Sequence, residues 1–386
     1  METLEILESI RAEEASVARL FGSEGQGVRH GTKSPEYMKK LVEAAEFVAE
    51  IMSGKRPAYQ LREVMTTSDF PYLFGDVLDR ALLAAYREAP ATYRNYVKTP
   101  SVRDFRQVKR FSVYGADAVL SQVDENGEYP SGAMHENAPY TYNVMKYGRV
   151  MPFSWESIIN DDLGAFSDMP ERLGRAARRS EEKFATGLFV DANGPHASFY
   201  TGGNANIVTG NPALSIPGLQ TAMAVLGAMV DEQGEPIVIE TVELVVGPSL
   251  EITALNILNA IQLELAEGGG SSNQKLIAQN WMKTRMNLSK NAYIPIVASS
   301  SHGTTSWFLF TNPNSGRQAL EVGFLRGHEE PEVFMKAPNA SRVGGGGEDA
   351  LNGDFETDSV QYKVRHVFGG ARMSPKCTVG SNGSGA

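Results

Sequence analysis

RVMPFSWESIINDDLGAFSDMPERLGRAARRSEEKFATGL, residues 149–188, is the part of the chain that says most about its architecture. Its first part leads through IINDDLGAF, Ile158 to Phe166, into a pattern with a well-marked helix start. Asp168 is placed to accept a hydrogen bond from free amides of the first turn, Pro170 falls where a missing N–H costs nothing, and Glu171 completes a capping-box spacing. The spacing predicts a helix of about five turns from there. Leu173, Ala177, Phe184 and Leu188 recur at three, four or their sums, so they mark one buried stripe. Arg172, Arg175, Arg179, Glu182 and Lys183 fall largely on other faces, and Arg178 and Glu182 stand one turn apart, where pairing adds a few tenths of a kcal/mol.

Around this block the texture changes twice. Upstream, from Thr99 to Pro152, the chain reads as strand: Phe111 and Val113, then Tyr140, Tyr142 and Val144, alternate with a two-residue period. Between them SQVDENGEYPSGAMHENAP is polar and carries Asn126-Gly127, a strong turn signal. The simplest structure is a long two-stranded ribbon with a loose tip. Such a ribbon has no second layer to cover its apolar face and is marginal alone, so it should lie on something, most economically a neighbouring subunit. Asp124, Glu125 and Glu128 put three carboxylates within five residues of the tip, a density that repels itself unless cations answer it. Arg175, Arg178 and Arg179 are candidate partners by type.

Further upstream the chain reads as helix and linker. Leu4, Leu7, Ile10, Val17 and Leu20 form an apolar stripe too short to stand alone as a helix in water, so it is expected to dock elsewhere. A glycine-, serine- and proline-rich loop follows, then MKKLVEAAEFVAEIM, then a helix carrying Leu78, Leu82, Ala85 and Tyr86 up to a stop at Pro90.

Downstream of the long helix lies a turn-rich connector and then a mixed α/β stretch. Leu219, Met223, Leu226 and Val230 predict a helix ending near Gln233-Gly234. VELVV, residues 242–246, reads as a buried strand. Ser249 is placed to cap a helix carrying Ala254, Ile257, Leu258, Ile261 and Leu265, stopped by Gly268 to Ser272. Strands are then expected at IPIVAS, SWFLFTNP, LEVGFL, PEVFMK and, after a glycine-rich loop, SVQYKVRHVFG. In that last strand Val360, Tyr362, Val364 and His366 share one face, and Gln361, Lys363 and Arg365 the other.

Composition narrows the function classes. At 386 residues, 42% hydrophobic and 21% charged, the chain has room for two or three units with substantial cores. No apolar run reaches the length of a membrane span. Cys377 is the only cysteine, so neither an intrachain disulfide nor a cysteine-based zinc site can form, and a reducing compartment is the natural reading. The formal net charge of −10 argues against a chain whose main task is gripping phosphates. Catalytic and cofactor motifs are missing as well: there is no phosphate loop, no GxSxG elbow and no HExxH pair. The histidines are scattered, and the His328-Glu329-Glu330 cluster reads as a solvated turn. No catalytic, cofactor or metal residue is therefore assigned.

The order of these pieces, with DENGEYPSG at the ribbon tip, IINDDLGAF before the long helix, GLQTAMAVLGAMVDEQGEPI with LVVGPSLE after it, WFLFTNP, and FLRGHEEPEVF followed by YKVRHVFGGARMSP, resembles the tailed-bacteriophage major capsid proteins of the Hong Kong 97-like fold. The likeness covers roughly residues 65–380. It implies an α+β fold divided into an N-terminal arm and helices over 1–98, an extended β-hairpin E-loop over 99–152, a P-domain over 153–211 with its spine helix at about 169–189, a mixed α/β A-domain over 212–329, and returning strands over 330–386 with a glycine-rich loop at 343–353.

The function it implies is a non-enzymatic head protein that assembles with itself into pentamers and hexamers of an icosahedral shell around double-stranded DNA, in the virion after assembly in host cytoplasm. Scaffold, portal and decoration proteins are the further partners implied, with no membrane and no sequence-specific DNA binding. An encapsulin-like nanocompartment is the alternative on the same fold, and a soluble α/β enzyme a more distant one. Intersubunit contacts are expected at Lys109, Asp124, Glu125, Asn126, Gly127 and Glu128 on the ribbon, at Arg172, Arg175, Arg178, Arg179 and Glu182 on the spine, and at Lys363 and Arg365 on the terminal strand. Part of the family joins an E-loop lysine to a P-domain asparagine, for which Lys109 and Asn352 supply the residue types.

Overall fold

A computed structural model describes residues 82–114, 123, 135–154, 163–231, 234–239, 241–260, 262–266, 275–314, 317–336, 356 and 359–385. In these residues the chain is a mixed α+β protein. Its strands, in chain order, are β1 (Ser101–Val102), β2 (Val108–Tyr114), β3 (His135–Tyr142), β4 (Met145–Ser154), β5 (Val190–Asp191), β6 (Gly194–Pro195), β7 (Val242–Val246), β8 (Gln262–Ala266), β9 (Lys275–Gln279), β10 (Met286–Lys290), β11 (Trp307–Thr311), β12 (Leu320–Leu325), β13 (Glu332–Met335), β14 (Ser359–Arg372) and β15 (Thr378–Ser381). Two compact units divide them. One holds Met1–Pro90, Lys146–Arg179 and His328–Val367, and the other holds Ala91–Met145, Ser180–Gly327 and Phe368–Ala386.

In the first unit a short helix, residues 82–88, buries Leu82, Ala85 and Tyr86, as the spacing of those residues predicts. It crosses the long helix Leu163–Phe189 at Gly174. A Cβ at Gly174 would lie 2.3 Å from the Leu82 carbonyl oxygen, so only glycine lets the two backbones come so close. One turn on, the Arg178 guanidinium lies 3.8 Å over the Tyr86 ring and donates to the Tyr86 carbonyl at 3.2 Å. The sheet of this unit pairs β13 antiparallel with β14, Glu332 opposite Arg365 and Met335 opposite Tyr362, and β4 pairs with β14 as well. The expected alternation holds along β14: Tyr362, Val364 and His366 are buried while Lys363 is exposed.

The long helix begins at Leu163 rather than at Asp168. Asp168 and Pro170 are thus inside it, and Glu171 bonds Arg175 at 3.0 Å instead of serving in a first-turn cap. Proline inside a helix removes one backbone bond and crowds the carbonyl four residues back, and the helix continues through Pro170 in spite of that cost. The buried face is also rotated from the expected stripe. Gly174, Ala177, Arg178, Glu181, Glu182, Ala185, Thr186 and Phe189 are buried, so polar residues that periodicity placed outside are inside.

The second unit is built on a four-stranded sheet in the order β10-β7-β11-β15. β10 runs parallel to β7, and β11 runs antiparallel to both β7 and β15. Every residue of β7, β11 and β15 is buried, as the near-continuous apolar sequence of β7 and β11 predicts for strands covered on both faces. The helices Ile216–Gly227 and Glu251–Asn259 add Leu219, Ala222, Leu226, Ala254, Ile257 and Leu258 to a core shared with Leu244, Val246, Trp307 and Leu309. Each large apolar side chain in it contributes about 1.5–3 kcal/mol of transfer free energy.

Three expectations change here. The helix at Ile216–Gly227 stops well before Gln233, because a tight turn closed by Gly234 at φ +88° follows and Val230 bridges Pro236 instead. The helix after β7 starts at Glu251, with Ser249 inside a preceding 3-10 turn. It ends at Asn259, and Gln262 to Leu265 is not helical: Gln262–Ala266 is β8, paired antiparallel with β9. The alternation in QLELA and KLIAQ on either side of a glycine run is the hairpin signal that helical periodicity concealed. Lastly, IPIVAS forms a short helix at Ile294–Val297, where Pro295 presets the first turn.

The ribbon forms over part of the expected span: Ser101–Val102 pairs instead with β12 and Met145–Ser154 with β14, so the two ends of 99–152 belong to another sheet. β2 and β3 are antiparallel, Val108 opposite Tyr142 and Tyr114 opposite His135, with a register shift between Arg110 and Ser112. The tip residues Asp124 to Glu128, the stripe from Leu4 to Leu20, and Asn352 lie outside the described residues.

Candidate assembly surfaces

The foot of the ribbon is fixed by a buried carboxylate. Glu321 on β12 is 1% exposed. Its Oε1 accepts from Arg110 Nε at 2.7 Å and from the Tyr142 hydroxyl at 2.5 Å, one donor from each ribbon strand, and its Oε2 accepts from Gln318 at 3.1 Å. Gly323, two residues on, clears the space: a Cβ there would meet the Tyr142 hydroxyl at 2.5 Å. Burial works to lower the Arg110 pKa, and the bond to Glu321, the charge of that carboxylate and Tyr142 together outweigh it and raise it. Burial raises the Tyr142 pKa, and the Glu321 bond adds to the rise. The ribbon therefore leaves this unit from a charged, hydrogen-bonded anchor rather than from a flexible joint.

The segment just before the ribbon is held in the same unit. Glu182 accepts from the Thr92 hydroxyl at 3.2 Å and from the Tyr93 amide at 3.3 Å, and Glu181 accepts from the Tyr93 hydroxyl at 2.8 Å. Asn291 donates to Tyr96 at 2.8 Å and to Thr186 at 2.9 Å. Asn95 donates to Ser289 at 2.8 Å, and Ser289 in turn donates to Glu243. Tyr96 stacks on Phe310 with ring centroids 5.0 Å apart. Burial raises the pKa of Glu182, against hydrogen bonds from Tyr93 and Thr92 that lower it. Burial likewise raises that of Glu243, against the bonds from Ser289 and Asn287. Thr92 to Tyr96 carry no assigned role in the sequence reading; the three-residue spacing of Tyr93 and Tyr96 is the signal that could have found them.

The structure separates the residues expected to meet neighbours. Lys109, Arg172 and Arg179 are exposed. Arg175 pairs with Glu171 in its own helix, and Arg178 and Glu182 are buried, so Glu182 does not lie on the outward face where periodicity places it. On the terminal strand Lys363 and Arg365 flank the Phe334 ring at 5.0 and 4.4 Å, and Arg365 also bonds Glu332. Glu332 pairs with His328 too. Burial works to raise the Glu332 pKa, and the bonds to His328 and Arg365 outweigh it and lower it. Among the described residues no group of three or more histidine, cysteine, aspartate and glutamate side chains is placed to hold a metal ion.

A family model described as phage capsid protein matches residues 138–380. No curated protein sequence matches the chain. Among solved structures, the capsid of the Cyanophage P-SCSP1u is 9% identical with a TM-score of 0.45, over 75% of this chain and 86% of that one. The mature capsid of bacteriophage PhiM1 is 10% identical with a TM-score of 0.46, over 76% and 86%. The holo-SrpI encapsulin complex from Synechococcus elongatus PCC 7942 is 11% identical with a TM-score of 0.46, over 76% and 88%.

Proposed function

The chain belongs to the phage capsid protein family, and from that premise we propose that it is the major head protein of a tailed phage, which assembles with itself into pentamers and hexamers of an icosahedral shell around double-stranded DNA. The observation that carries the reading is the family match across residues 138–380, which takes in most of β3, all of β4, the long helix and nearly all of both sheets. The ribbon supports it: among the described residues β2 and β3 pair only with each other, and a two-stranded sheet of this kind gains stability by lying on another surface. In this proposal β2 and β3 are the base of the E-loop, the long helix is the spine, the unit around β7 and β11 includes the A-domain, and the sheet of β4, β13 and β14 belongs to the P-domain. Its work is structural, its place is the virion, and scaffold and portal proteins are its further partners.

The enclosed cargo is what separates a phage head from a protein-filled compartment. Large particles from cells expressing the chain with its packaging partners are expected to retain double-stranded DNA after nuclease treatment, and to release it on disruption. Particles that instead carry one folded protein and no protected DNA would contradict the phage-head reading.

A further inference from the structure

The loop that leads into the ribbon presents a basic and aromatic surface. Arg103, Asp104, Phe105, Arg106, Gln107 and Lys109 are all exposed, Phe105 keeps 47% of its surface open, and the Arg106 side chain is 91% exposed. This loop is anchored at both ends. On one side β1 runs parallel to the end of β12, Ser101 opposite Phe324, and Val102 accepts from the Arg326 amide at 2.8 Å. On the other side Arg110 is held by Glu321. Within the loop Asp104 accepts from the Arg106 amide at 3.0 Å. An exposed phenylalanine between arginines, on backbone already ordered, is the composition that supplies anchor residues at protein interfaces, because little conformational entropy is left to lose on binding.

We propose that Arg103, Phe105, Arg106 and Lys109 form a docking surface for the acidic segment Asp124, Glu125 and Glu128, with Tyr129, of a second copy of this chain. The proposal rests on the shell-forming reading above. Charge complementarity argues for this occupant: three carboxylates in five residues, followed by Tyr129 and Pro130, match guanidinium groups beside an open aromatic ring. Of the spine arginines that the sequence offers as partners, Arg178 is buried against Tyr86 and Arg175 is paired with Glu171; Arg179 is exposed but has no open aromatic ring next to it in sequence. A nucleic acid fits the surface less well. It would meet Asp104 within the loop and a chain of net charge −10 around it, whereas phosphate affinity grows with the number of cations that neutralise the backbone.

The test uses the full chain. Arg103→Glu/Arg106→Glu is expected to lower particle yield at low salt by about tenfold or more, and adding Glu125→Arg/Glu128→Arg to restore it to within about threefold of wild type, because opposite charges regain their places. A labelled peptide of residues 121–132 should bind the soluble wild-type chain and lose that binding at high salt. Wild-type yield from the loop variant while the parent forms shells, failure of the swap to restore it, or no peptide binding would overturn the proposal, as would a loop variant that loses duplex DNA affinity and keeps peptide affinity. Should the parent form no shells, the shell-forming reading fails on that result, and peptide binding still decides the docking surface.

Discussion

The Tyr142 hydroxyl donates a 2.5 Å hydrogen bond to the buried Glu321 carboxylate, 179 residues away in sequence. With Arg110 on the facing strand, it ties both strands of the ribbon to a strand that is itself buried along its whole length. A buried carboxylate left without one of its donors loses far more than a surface pair would, since hydrogen bonds to charged groups contribute about 1.5–3 kcal/mol each.

Tyr142→Phe is therefore expected to destabilise the ribbon foot by about 1.5–3 kcal/mol. Hydrogen exchange should quicken at Val108–Tyr114 and His135–Tyr142 while the amides of β7 and β11 keep their protection. Uniform loss of protection across the chain would show that the bond supports the whole core rather than the ribbon.

Gly174→Ala sets two effects against each other. Alanine favours a helix over glycine by about 1 kcal/mol, yet its Cβ would be driven against the Leu82 carbonyl, and overpacking of this kind costs about 1–3 kcal/mol. Steric cost should win, lowering the melting temperature and exposing residues 82–88 to protease. A higher melting temperature would mean that the two helices separate without penalty.

Glu243 predicts a pH dependence of definite sign. Burial raises its folded pKa, so the folded state holds the proton more firmly than the unfolded one. Its contribution to stability is present at pH below the unfolded carboxylate value of about 4.3 and is lost as pH rises through the raised folded value. Glu243→Gln, which keeps an acceptor for Ser289, should therefore raise the melting temperature at pH 7 by about 2 °C or more, with the gain shrinking toward pH 4. Glu332 runs the other way: its pKa is lowered, and its contribution is lost as pH falls through the folded value. A Glu243→Gln gain that is constant with pH would contradict the assignment.

Strong apolar segments were legible in the sequence. VELVV, WFLFT and LEVGFL are buried strands because nearly every position is apolar, and Tyr362, Val364 and His366 alternate inward as read. Less legible were features fixed by distant partners. Glu182 has the local pattern of a solvent-facing charge, and only the Thr92 hydroxyl and Tyr93 amide, 90 and 89 residues away, make its burial tolerable. Asp168 and Pro170 carry a helix-start signature that the longer helix overrides. β8 is concealed by helical spacing, since Ile261 and Leu265 also stand one helical turn apart, and β9 lies beyond the glycine run that ends the expected helix. At the ribbon, the strands and their pairing could be read, while the Glu321 anchor required knowing which strand lay beside them. In the basic loop the sequence points to Lys109 alone; Arg103, Phe105 and Arg106 are singled out by exposure, not by residue type.

Whether the chain builds a shell is decided most directly by electron microscopy of the purified full-length protein under assembly conditions, with scaffold supplied if needed. Closed shells of uniform diameter are expected, with a surface that resolves into fivefold and sixfold clusters, each spanned by ribbons reaching onto adjoining subunits. Discrete small particles that never close, across the salt and concentration range in which the chain stays folded, would contradict a capsid role.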